Sequence, residues 1–313
     1  MADVAVGAPP TGPTPPATRA KGAKRANRAN WVPYALLVPG LLWLVIFFVA
    51  PMVTLGSQSL QEGSVEAGYT FTANFGIYVD AVSKYLPQLV RSIGYAATAT
   101  ALALLLAYPL SYFMAQKAGR WKNIMLVLVI APFFTSFLIR TLAWRTILSD
   151  TGPVNAVAQT LRITDLLQFL HLTNNDTLLS SKFAVIAGLT YNFLPFMILP
   201  LFSSLDRLDP RLVEAASDLY ASPWQAFRRV TWPLSLPGVV AGTLLTFIPA
   251  AGDFINSRLL GNTQTVMIGQ VIESQFLRVL DYPLAAALSF ILLMLILGLV
   301  TTYVRRAGTE ELV

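Results

Sequence analysis

An all-α integral membrane protein with six spanning helices is the fold class this sequence predicts, and three observations predict it. Only 12% of the 313 residues are charged, whereas soluble domains run near a quarter, so the chain has too little ionic surface to meet water on all sides. Apolar residues make up 55%, and the mean hydropathy is +0.60. Six stretches reach the roughly 20 apolar residues that a helix needs to cross about 30 Å of hydrocarbon: 34–57, 89–116, 122–147, 183–204, 236–260 and 284–304.

Composition also removes whole classes of chemistry. With no cysteine there is no disulfide framework, thiolate nucleophile or Cys-based metal site. The single histidine, His171, has no acidic or hydroxyl partner recognisable from sequence and is read as a loop residue. The net charge of +6 gathers beside apolar spans, where membrane topology accounts for it and nucleic acid does not.

Taken in order, residues 1–30 carry Pro9, Pro10, Pro13, Pro15 and Pro16, then Arg19, Lys21, Lys24, Arg25 and Arg28. No apolar periodicity recurs there, so a disordered basic cytoplasmic tail is expected. The first stretch is too long for a signal peptide, and Pro51 stands where cleavage wants small residues, so it is read as an uncleaved helix. The second carries Ala96, Ala97, Ala99, Ala101 and Ala103, which suit close packing inside a bundle. Pro109, Pro132, Pro195, Pro200 and Pro249 interrupt spans; such breaks are costly against lipid, so they are expected to face protein or a watery cavity.

Loop charges orient the chain. A cytoplasmic N-terminus places those five tail bases inside, together with Lys117, Arg120, Lys122, Arg207, Arg211, Arg228, Arg229, Arg305 and Arg306. That is fourteen of 22 basic residues, close to helix ends where the positive-inside bias acts. Glu62, Glu66, Asp80, Asp150, Asp165, Asp176, Glu273 and Asp281 then lie outside. The expected organisation is a transmembrane domain over 31–306, a short tail over 307–313, and both termini in the cytoplasm.

The loop 205–237 between the fourth and fifth spans is long and reads as two helices. Asp209 is placed to cap the first, with Pro210 at its opening position. Leu212, Ala215, Ala216 and Leu219 follow at helical spacing. Ser222 and Gln225 form the pattern of a capping box for the second, which Pro233 is expected to end. Two readings are open: a small-residue knob that another protein approaches closely, or an amphipathic loop held on headgroups by Trp224, Trp232 and the arginines.

Glu214-Ala215-Ala216, three residues, Tyr220, nine residues, then Val230-Thr231-Trp232-Pro233 resembles the E-A-A loop of ABC importer permeases. That pattern is E-A-A, three residues, Gly, nine residues, Ile, any residue, Leu, Pro, before the penultimate helix. Tyr220 stands at the family's glycine and Trp232 at an aliphatic position. The stretches LPFMILPLFSSLDRLDPRLVEAASDL, IAPFFTSFLIRTLAWRTILSDTGPVN and GDFINSRLLGNTQTVMIGQVIESQFLRVLDYPLAAA resemble spermidine/putrescine importer permeases of the B and H type. The resemblance implies a type I permease fold and docking of the loop, around Glu214, Ala215, Ala216, Asp218, Leu219, Tyr220 and Ala221, onto a partner ATPase. It also implies a second related permease, an ABC ATPase dimer carrying ATP and magnesium, an extracytoplasmic solute-binding protein, and a bacterial-type inner membrane. Polyamines are the cargo it implies first; relatives of this kind also move other amines, opines and phosphonates.

For the cargo path, Pro249, Gly252 and Asp253 are expected to break the fifth helix. An intramembrane carboxylate costs about 2.5–3.5 kcal/mol and usually faces a cavity. Asp253 suits a polyammonium cargo, with Tyr191, Tyr108 and Phe254 as aromatic faces. Asp253 equally suits a cap on a half-helix, or a partner for Arg258 or Arg140. Arg140 and Arg145 close the third span, either toward a binding protein or snorkelling to headgroups.

Rival functions lack their parts. An ion-coupled secondary transporter needs several intramembrane acids or an inverted repeat, and a membrane protease needs a Ser/His pair, paired aspartates or H-E-x-x-H. No G-x-x-x-x-G-K-[ST] phosphate loop occurs, so nucleotide hydrolysis is expected on a separate subunit, and no catalytic residue or bound cofactor is expected here.

Overall fold

The computed structural model describes residues 32–170, 172–173 and 177–307. The expected tail over 1–30, His171 and the C-terminal tail beyond Ala307 lie outside the described residues.

Two compact units divide the chain, 1–52 and 53–313. In the first, α1 (Val32–Leu44) runs through a π turn (Val45–Val49) into α2 (Ala50–Gln58), whose last residues open the second unit. Every large apolar side chain from Leu36 to Val49 is exposed. A helix apolar all round needs lipid or another protein around it.

In the second unit a hairpin of β1 (Gln61–Ser64) and β2 (Gly68–Phe71) pairs Gln61 with Phe71. The long α3 (Gly76–Gln116) follows, then a 3₁₀ turn (Gly119–Trp121), α4 (Lys122–Ile130), a second 3₁₀ turn (Ala131–Phe134) and α5 (Phe137–Ile147). Two short helices, α6 (Pro153–Thr160) and α7 (Ile163–Phe169), lead to α8 (Lys182–Asp206). Next come α9 (Pro210–Asp218), α10 (Pro223–Ala226), a π turn (Phe227–Thr231) and α11 (Trp232–Ala251). The chain closes with α12 (Ile255–Leu260), α13 (Ile268–Ser274), a π turn (Gln275–Val279) and α14 (Tyr282–Ala307).

Among the described residues, five helices are long and apolar enough to cross a membrane. The third expected span, 122–147, is not a straight helix: Gly119–Phe134 and Phe137–Ile147 meet at 94°, and six spans result if that pair counts as one. Pro132 sits in the 3₁₀ turn before the bend, and Thr135 and Ser136 are extended, with ψ of 146° and 137°. The missing N–H and the ring clash at proline are what break the ladder.

One expectation fails. Pro233 does not end the second loop helix, because Pro223–Ala251 is one continuous helix. The π turn Phe227–Thr231 widens the backbone just ahead of Pro233, where a regular α-turn would drive the ring into the preceding carbonyl.

The core is α3 against α8 and α11. Ala96, Ala99, Ala103 and Ala107 lie on one face of α3 and are fully buried, whereas Ala97 and Ala101 are exposed. Lipid tails are as apolar as the helices, so close contact between small residues holds this bundle. At Gly238 on α11, a Cβ would lie 2.5 Å from Ser204 Cβ and 2.8 Å from the Pro200 carbonyl of α8.

Candidate functional site

The loop between α8 and α11 is built from local capping. Asp209 accepts from the Arg211 N–H at 3.0 Å, and Pro210 opens α9 where no intrahelical donor is needed. At the other end the Ala221 N–H donates to the Ala216 carbonyl at 3.0 Å, and the Tyr220 N–H to the Ser217 carbonyl at 2.9 Å. Those are the two bonds of a Schellman turn, and Tyr220 takes its left-handed position at φ +62°. Ser222 and Gln225 then close a capping box, with bonds of 2.9 and 3.4 Å.

The turn pushes side chains outward. Tyr220 is 98% exposed and Leu219 82%. Glu214, Ala215 and Asp218 are also exposed, while Ala216 and Ala221 are half-buried. Beneath the knob, Phe227 stacks on Trp224 at 5.5 Å and meets Tyr108 edge-on at 5.7 Å. Tyr108 also packs on Trp232 at 5.2 Å, and its hydroxyl bonds to Ser235 at 2.8 Å. The loop is thereby seated on α3 by an aromatic cluster. Lys122 and Asp206 pair nearby, and a cavity of about 610 Å³ opens beside the knob, lined by Pro200, Arg207, Leu212, Leu234 and Pro237.

The second feature is the break after α11. The helix stops at Ala251, Gly252 leaves it, and the Asp253 carboxylate accepts from the Asn256 N–H at 2.8 Å to start the short α12. Asp253 is buried at 8% exposure. Of the readings open to it, the cap is the one this geometry carries. Arg258 pairs with Glu273 on α13, and Arg140 lies over the rings of Phe133 and Phe137 at 5.5 and 5.7 Å. Asn256 accepts from Asn192 at 3.0 Å, and Asn192 also donates to Thr141 at 3.2 Å, tying α12 to α8 and α5. Gly269 of α13 seats against the break: a Cβ there would stand 2.3 Å from the Gly252 carbonyl oxygen. In front of the break lies a groove of about 350 Å³, lined by Gly252, Phe254, Gly269, Glu273 and Phe276 among others.

Asp253 and Phe254 are therefore together, and Tyr191, 37% exposed with its ring 5.4 Å from Trp144, neighbours the Asn192 link. Tyr108 is not with them; it belongs to the base of the loop. Glu273 and Phe276 are groove residues that the loop-charge reading had placed only as outside residues or not at all. No periodicity joins Arg258 to Glu273 across the turn between α12 and α13.

Residues 107–307 match the family described as the binding-protein-dependent transport system inner membrane component. The chain is 37% identical over 269 residues to the spermidine/putrescine transport system permease protein PotB of Escherichia coli, covering 85% of this chain and 94% of that one. It is 35% identical over 264 residues to PotB of Haemophilus influenzae, covering 84% and 90%. This chain belongs to that inner membrane component family. Its fold is also that of a bacterial alginate ABC transporter solved in complex with an alginate pentasaccharide-bound periplasmic protein, at a TM-score of 0.62 and 21% identity over 90% of this chain and 95% of that one. The permease is thus a multi-pass membrane protein of the ABC importer type. Its family-matched residues contain both the loop knob and the α11–α12 break.

Proposed function

We propose that this permease forms half of the translocation pathway of an ATP-driven polyamine importer. A second, related permease supplies the other half, a dimer of ABC ATPases binds ATP and magnesium beneath the loops, and an extracytoplasmic binding protein delivers cargo. Both termini and the α9–α10 loop lie in the cytoplasm, in keeping with the basic residues at those helix ends. Spermidine and putrescine are the cargo named for its relatives, and the groove beside Phe254 suits an amine better than an anion because aromatic rings line it.

The observation that carries the reading is the exposed turn Leu219–Tyr220 at the tip of a rigidly capped helix. A large apolar tip on a polar loop marks a protein contact. Closure of the ATPases pushes on the segment Glu214–Ala221, the aromatic seat under Phe227 passes that displacement to α3 and α11, and the bundle turns its cavity outward; ADP release reverses it. In this reading Phe254 and Tyr191 border the pathway, Asp253 shapes it by capping α12, and Tyr108 serves the coupling loop.

Ala216→Glu tests the coupling role. A charge on the half-buried face of α9 is expected to abolish co-purification of the ATPase subunit from native membranes, and uptake of labelled spermidine with it. Full assembly and full uptake would refute docking through this loop.

A further inference from the structure

We infer that the groove beside the α11–α12 break is a binding station for an organic polyammonium cargo, read by the ring faces of Phe254 and Phe276, and that the Arg258–Glu273 pair is an electrically neutral latch which sets the walls of that station. The inference rests on the amine reading above and goes beyond it by naming the contact.

The groove, at about 350 Å³, falls within the range of small-molecule sites. Its walls come from separate elements: Gly252 and Phe254 at the break, Glu273 on α13, Phe276 and Leu277 on the following π turn. Phe254 is 38% exposed and Phe276 41%, so both rings leave surface for a ligand. The Phe276 ring is held by an edge contact with Tyr282 at 5.1 Å.

The one charge that lines the groove is already paired. Glu273 is the one ionised residue among its lining, and it accepts from Arg258. The carboxylate side chain is 12% exposed against 40% for its partner. A carboxylate that deep is expensive to leave without a cation, so the pair stays closed and its net charge is zero. Asp253, at 8% exposure, is turned to the Asn256 N–H and is not among the groove's lining residues. What remains for an ammonium group is the two aromatic faces and the negative end of α11, which stops at Ala251 against the groove-lining Gly252. These attract a cation without the deep well of a bare carboxylate. A transport station needs that balance, since cargo must leave as readily as it arrives.

The test uses the importer complex purified from native membranes and reconstituted in vesicles. Phe254 and Phe276 are replaced by phenylalanines of increasing fluorination, which keep shape and drain the negative ring face. The KM for spermidine is expected to rise stepwise, by about three- to tenfold at the highest fluorination, with kcat and subunit composition unchanged. A flat KM would overturn the aromatic station. Arg258→Glu alone is expected to lose uptake, and Arg258→Glu with Glu273→Arg to restore it with a KM near wild type. An assembled swap whose KM stays raised would mean that Glu273 touches cargo, and would overturn the latch. Because the chain has no cysteine, Leu277→Cys offers a single thiol in the groove. Its labelling in the assembled complex should be slowed by spermidine; a thiol unreactive even without spermidine, or one labelled equally fast with it, would overturn the station. A wild-type complex that imports no polyamine would instead sink the amine reading itself, an outcome distinct from a flat KM in an active importer.

Discussion

Replacing Tyr220 with glycine removes a backbone cost that its φ of +62° imposes on the loop turn. A non-glycine residue in the left-handed region costs about 1–2 kcal/mol. Glycine returns roughly 0.5–1 kcal/mol of that through the extra freedom of its open state. The net gain is about 0.5–1 kcal/mol, or roughly a two- to fivefold change in a local opening equilibrium. The reporters are the Tyr220 and Ala221 amides, which donate to Ser217 and Ala216 at 2.9 and 3.0 Å. Hydrogen exchange of the permease in detergent should slow by that factor at both amides in Tyr220→Gly. It should not slow in Tyr220→Ala, which keeps the strained φ and removes only a ring that is 98% exposed. Both variants lose the ring's contact surface, so both should weaken ATPase co-purification. Equal or faster exchange in the glycine variant than in the alanine variant would refute the argument that the turn is strained.

Other consequences follow from packing at the loop base and the break. Gly269→Ala pushes a methyl to 2.3 Å from the Gly252 carbonyl oxygen; overpacking of this kind costs about 1–3 kcal/mol, and thermal unfolding in detergent should fall accordingly. Tyr108→Phe removes the bond to Ser235 at 2.8 Å. Ser235 keeps its bond to the Trp232 carbonyl at 2.9 Å, so the lost bond should lower stability by only about 1 kcal/mol, with a larger relative loss in coupling of ATP hydrolysis to uptake than in cargo affinity. Asp253→Asn keeps an oxygen that accepts from the Asn256 N–H. Its thermal midpoint and spermidine KM should therefore stay close to wild type, and a strongly raised KM would return Asp253 to the cargo pathway.

Much of the coupling loop was legible in the sequence because its bonds are local. Asp209 reaches Arg211, and Ser222 reaches Gln225, within a single turn, so residue type and spacing are enough to place both caps. The position of Tyr220 follows likewise from where α9 must end, and the structure finds it in the left-handed conformation that the family's glycine accommodates without strain. The break at Gly252–Asp253 was legible from Pro249 and Gly252 for the same reason. Five of the six spans were legible from hydrophobic length alone, and the sixth is the bent pair Gly119–Phe134 and Phe137–Ile147.

The two proline expectations came out differently. Pro132 interrupts its span as expected: it lies in the 3₁₀ turn that ends at Phe134, just before the 94° bend. Pro233 marks a missing donor, but a π turn absorbs it and the helix continues. Proline states that a regular turn fails; it does not state whether the chain then bends, as after Phe134, or widens and continues, as at Phe227–Thr231.

Local chemistry thus determined the spans, the caps and the left-handed turn. Tertiary packing alone decided that Tyr108 bonds Ser235 across 127 positions, that Asn192 meets Asn256 across 64, and that Arg258 finds Glu273 on another helix. A helix repeats every 3.6 residues and so announces contacts three or four positions apart. Pairings between helices carry no such period, and they come into being only when the small-residue face of α3 brings α8 and α11 to their contact distance.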